Sequence, residues 1–114
     1  MMTKYYAKEN LSEIADGDED FLEILAQTFL EEIPPDLRSM EEAIVNDNRE
    51  LAYQFAHKMK PNIEMFGIDA LKDITNIENW SKTTKNKTTI LPNLENILNT
   101  LNHVFNELKA DFQL

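Results

Sequence analysis

The chain has 114 residues, with 21 acidic against 11 basic side chains and a formal charge of −10. Cysteine is absent, which excludes disulfides and thiolate metal sites, and two histidines without a ligand motif do not make a zinc site. Residues 1–50 hold 14 acids and 4 bases and residues 51–114 hold 7 of each, so the whole net charge sits in the first half and argues against nucleic acid or an anionic membrane as partner.

The length fits one domain, 1–114, large enough for a core without staples. The start, MMTKYYAKEN, has no hydrophobic signal core, and no apolar run reaches the roughly 18 residues of a membrane span. A soluble, cytoplasmic, monomeric protein is the expectation.

Asn10-Leu-Ser-Glu13 has the spacing of a capping box and predicts a short helix ending near Gly17. Asp18 can then cap a long segment carrying Phe21, Ile24, Leu25, Phe29, Leu30 and Ile33, continued by Leu37, Met40 and Ile44. Pro34-Pro35 interrupts it; an interior proline removes a hydrogen bond and costs about 3 kcal/mol, which predicts a kink or short break there. Asp47-Asn-Arg-Glu50 is a second capping-box spacing and opens a helix running to near Gly67. Asp69 opens the next, with Leu71, Ile74, Ile77 and Trp80 toward the core. Ser81–Thr89 is polar, lysine-rich and low in complexity, and reads as a mobile loop. The last helix bears an apolar stripe of Leu94, Ile97, Leu98, Leu101, Val104, Phe105, Leu108 and Phe112. Alternating strand patterns are absent. Together these predict an all-α protein: an antiparallel up-down four-helix bundle over residues 18–113, preceded by a short extra N-terminal helix.

Within LAYQFAHKMKPNIEMFG (residues 51–67), a turn of about 100° per residue puts Leu51, Phe55, Met59 and Phe66 on one face, with Ala52 and Ile63 beside them. His57 falls opposite, among Glu50, Tyr53, Gln54, Lys60, Pro61 and Glu64, so it is expected to be exposed midway along the second bundle helix. Catalytic constellations are otherwise scarce: there is no glycine-rich phosphate loop, no HExxH and nothing to orient ATP. What remains is one exposed imidazole with cationic neighbours. A neutral imidazole is a nucleophile near physiological pH and can carry a group covalently. If the group is phosphoryl, its equatorial oxygens need positive charge or donors. Lys60 lies one turn on, Lys58 is placed less directly, and Gln54, one turn back, could donate a hydrogen bond. Lys60 could equally form a surface ion pair with Glu64 at i+4. His103 lies near Glu107, which would repel a phosphate, and no lysine stands within a turn of it.

The run AHKMKPNIEMFG resembles the histidine-containing phosphotransfer (HPt) motif of two-component phosphorelays: a histidine, a lysine three residues on, and a glycine about ten residues on. His57, Lys60 and Gly67 match it, and the length and helix order extend the likeness over most of the chain. The resemblance implies a phosphoryl carrier without kinase activity of its own, passing the group between receiver-domain aspartates through a phosphohistidine at His57. It implies response-regulator receivers or a hybrid sensor kinase as partners, and no cofactor beyond Mg²⁺ held by the receiver. It also implies a glutamine on the next helix, about 22 positions after the histidine, where this chain has Asn79. Pro61 stands where the family usually has a glycine, a small residue that lets the receiver approach; proline is compact but lacks the N–H that would bond the His57 carbonyl.

A receiver covering His57 needs apolar contacts around it, and Leu11, Ile14, Phe21 and Ile24 are the candidates for that docking, unless they simply cap the bundle. In the dimerisation helix of a sensor kinase an acid follows the histidine and a proline comes five positions later; here Lys58 follows and Pro61 comes at four. The alternative that survives is a helical-bundle interaction module that binds receivers or other signalling proteins without carrying phosphate.

Overall fold

A computed structural model describes residues 4–114, and each regular element in them is helical: α1 (Lys8–Ile14), α2 (Glu19–Val45), α3 (Arg49–Met65), α4 (Leu71–Trp80) and α5 (Leu91–Phe112), with a 3₁₀ turn at Lys87–Thr89. Met1, Met2 and Thr3 of the opening segment lie outside the described residues.

The helix starts follow local chemistry with three shifts, one of them at α4, where Ala70 rather than Asp69 is the cap and no side chain closes it. The Asp18 carboxylate accepts from the backbone N–H of Asp20 and Phe21 at 3.0 and 3.2 Å and caps α2, as its position predicts. At α3 the cap is Asn48, accepting from the Leu51 N–H, one residue later than the Asp47 box implies; Asp47 instead takes a left-handed conformation (φ 58°) in the turn. The Asn10 box does not open α1. The cap lies three residues earlier, at Ala7, whose N–H donates to the Phe66 carbonyl at 2.8 Å, so a tertiary backbone bond outweighs the local signal.

No break occurs at Pro34-Pro35: α2 runs through both as one helix of 27 residues. Pro34 and Pro35 deprive the Leu30 and Glu31 carbonyls of their helical donors. Glu31 is exposed, so its carbonyl can be hydrated, while Ile33, Leu37 and Met40 are buried on the other side. Burying those side chains, at about 1.5–3 kcal/mol each, outweighs the lost bonds.

The core is one contiguous cluster. α2 packs on α3, α3 on α4, α4 on α5, and α5 back on α2. At its centre Phe29 meets Phe66 at 4.3 Å and Phe105 at 6.0 Å. On α3 the buried line is Ala52, Ala56, Met59 and Ile63, rotated from the expected Leu51–Phe55 line; Leu51 is exposed and Phe55 half-buried. The two alanines let α3 sit close between its neighbours.

The Ser81–Thr89 segment is anchored rather than loose. Arg49 donates to the Thr83 and Lys85 carbonyls at 3.0 and 2.7 Å, and the Trp80 indole N–H donates to Lys85 at 3.0 Å. At the other end the N-terminal strap lies along α5: Tyr5 stacks on His103 at 4.3 Å, and the Tyr6 hydroxyl donates to Asp111 at 2.5 Å. Among the described residues no helix is long and apolar enough to cross a membrane.

The candidate docking residues divide. Leu11 is wholly buried and belongs to the core, whereas Ile14, Phe21 and Ile24 are exposed. Leu11 faces inward because α1 is capped at Ala7, which is tied to Phe66 at the end of α3. Leu11→Asp is therefore expected to destabilise the fold by about 3 kcal/mol or more, and Ile14→Asp to leave the thermal melt within a degree or two of wild type; paired circular-dichroism melts check both.

Candidate functional site

His57 stands midway along α3 with its side chain 65% exposed, as its position opposite the core face requires. Its Nδ1 lies 2.9 Å from Oε2 of Glu78 on α4. The other oxygen of that carboxylate, Oε1, accepts from Lys60 Nζ at 3.0 Å. Glu78 thus joins the histidine and the lysine through one buried group.

Burial pushes the Glu78 carboxyl up, but the hydrogen bonds and charges of His57 and Lys60 outweigh it and hold the group below its ordinary 4.5. Glu78 is therefore ionised at neutral pH and can only accept. In the neutral imidazole Nδ1 then carries the proton, and Nε2 keeps its lone pair on the side away from Glu78. A nucleophilic nitrogen is presented to solvent on an oriented ring. Because the Glu78 carboxyl is depressed on folding, its contribution to stability is present above pH 4.5 and lost as pH falls through the lower folded value. Glu78→Gln is expected to remove that part of the acid limb, seen as a flatter dependence of melting temperature on pH below about 5.

The charges around the histidine are more structured than spacing implies. Asp36 and Glu78 are the buried charged side chains of the described residues, and each pairs with a lysine flanking His57. Lys58 reaches sideways to Asp36 on α2 at 3.1 Å, which takes its ammonium away from the imidazole. Lys60 pairs with Glu78, not with Glu64. Tyr53, one turn before His57, stacks on its ring at 5.5 Å with the planes 9° apart, and the Lys82 ammonium lies 5.1 Å from the centre of the Tyr53 ring. Gln54 is exposed on the same turn, with no side-chain hydrogen bond described.

Asn79 does not reach the imidazole. It is exposed and lines a polar depression with Asn76, Thr83 and Asn93, on another side of α4. The residue that meets His57 is the one before it. On α4 Ile74 and Ile77 face the core, and position 78 falls one turn beyond Ile74, whereas position 79 lies about 100° further round. Glu78 is the site residue that spacing missed, and Tyr53, placed by spacing on the His57 face, was given no role there. The available signal for Glu78 was a charged side chain on the core-facing stripe; for Tyr53 it was an aromatic four residues before the histidine.

Pro61 is exposed and α3 continues through it, leaving the His57 carbonyl without its helical donor. Gly67 ends α3 with φ +61°, and a Cβ there would stand 2.6 Å from Ala7 Cβ and 2.7 Å from Asn10 Nδ2. Its role is to let α1 approach, ten residues away from the histidine. No cluster of three or more potential metal ligands is gathered among the described residues.

Comparison with protein-family models, curated proteins and solved structures found no match.

Proposed function

We propose that this chain is a histidine phosphotransfer protein built as an antiparallel four-helix bundle, α2 to α5, with α1 as an extra N-terminal helix. It carries a phosphoryl group between receiver-domain aspartates on Nε2 of His57. The observation that supports this most directly is the exposed imidazole whose Nδ1 is held by a buried carboxylate that also holds Lys60.

In the transfer, the Nε2 lone pair attacks the phosphorus of a receiver aspartyl phosphate. The N–P bond forms as the P–O bond breaks, and its electron pair returns to the aspartate carboxylate. Nε2 carries no proton, so none has to leave. The ring becomes a cation with the proton still on Nδ1, and Glu78 stabilises that charge from 2.9 Å. Lys60 can turn from Glu78 toward the phosphoryl oxygens, since residues three apart on a helix are neighbours. The second receiver's carboxylate reverses the step. The divalent cation that this chemistry uses belongs to the receiver. The exposed Ile14, Phe21 and Ile24 offer apolar contact for a receiver.

Incubation with a phosphorylated receiver tests the reading. The expected result is acid-labile, base-stable phosphate on this chain; binding without labelling would leave an interaction module in its place.

A further inference from the structure

The α2–α5 face, formed by helices that carry neither His57 nor Glu78, contains a half-open groove of about 280 Å³. Leu30, Pro34, Leu37, Leu98 and Phe105 make its apolar lining, and the polar part includes Arg38 and Lys109. Its charge pattern is unusual for this chain. α2 contains 8 acids and a single base, Arg38; α5 contains 3 acids and, His103 aside, a single base, Lys109. Both bases line the groove and none of those acids does. Neither base forms an ion pair among the described residues.

Two cations without an ion-pair partner beside an apolar trench, on a protein of charge −10, are complementary to a molecule with an apolar body and an anionic head. We propose that this groove binds a small amphipathic carboxylate, its chain along Leu30, Pro34, Leu98 and Phe105 and its carboxylate held by Arg38 and Lys109. A guanidinium and an ammonium both suit a carboxylate, the first in paired hydrogen bonds. The size favours a small ligand over a protein. At about 280 Å³ the groove falls just below the roughly 300–1,000 Å³ of drug-sized ligand sites, which suits a small ligand. Among the described residues none of the strongly exposed large apolar side chains lines it, whereas a protein interface needs an exposed apolar centre.

The test is titration of the ¹⁵N-labelled full chain with decanoate, below its micelle-forming concentration, against decylammonium of equal chain length. The expected result is a saturable shift of the Leu30, Leu98 and Phe105 amides with decanoate and none with decylammonium. Arg38→Gln combined with Lys109→Gln should weaken decanoate by about tenfold or more. Both side chains are exposed, so the double variant should melt with the wild type. Equal shifts with both amphiphiles, an unweakened double variant, or no saturable shift would each overturn the proposal. None of these readouts involves His57, so the result stands apart from that of the phosphotransfer assay.

Discussion

His57→Gln is expected to abolish phosphoryl uptake from a phosphorylated receiver, while His103→Gln leaves it intact. Glutamine removes the nucleophilic nitrogen, and an exposed site has nothing else to offer the phosphorus. His103 is occupied differently: its ring stacks on Tyr5 at 4.3 Å, and the neighbouring Glu107 carboxylate accepts from the Tyr5 N–H at 2.7 Å. A phosphoryl group there would meet negative charge. Lys60→Ala should slow labelling and shorten the life of the receiver complex without abolishing labelling, because it removes one cation and leaves Glu78 on the imidazole. Rapid-quench labelling of the three variants separates these outcomes, and uptake by His57→Gln would defeat the phosphotransfer reading.

The second large effect is on stability. Gly67→Ala is expected to cost about 2–4 kcal/mol, combining the strain of a left-handed backbone with the displacement of Ala7 and Asn10. The melting temperature should fall by roughly 8–15 °C. Gly17 supplies the control: its φ is +77° but nothing lies within 4 Å of a Cβ there, so Gly17→Ala should show the backbone part alone, about 1 kcal/mol. Equal melts for the two variants would show that α1 gives way without cost.

The sequence made the helices and the exposure of His57 legible because both follow from a period of about 3.6 residues. It was less informative about rotation and anchoring. Leu51 and Phe55 outrank Ala52 and Ala56 in hydrophobicity, yet the small side chains face inward, because close approach of neighbouring helices is decided by volume. The paired prolines read as a kink or a short break, and there is no break: the packing of Ile33, Leu37 and Met40 carried the helix through them. A spacing borrowed from a resembling family pointed to Asn79, one residue from Glu78, and a single residue on a helix is the difference between the imidazole and solvent. The carboxylate partners of Lys58 and Lys60 lie 22 and 18 residues away in the chain, beyond any local pattern.

Trp80 gives the molecule an optical handle. It is the chain's single indole, almost fully buried, with the Arg49 guanidinium 4.4 Å from its ring centre and its N–H donated to the Lys85 carbonyl. All three conditions depend on the 81–90 connection being seated. Lifting that connection would hydrate the indole and shift its emission to longer wavelength. Trp80 also stands two residues from Glu78 on the same helix. Intrinsic fluorescence, with no attached dye, therefore reports in real time when an arriving protein disturbs the end of α4 beside the imidazole.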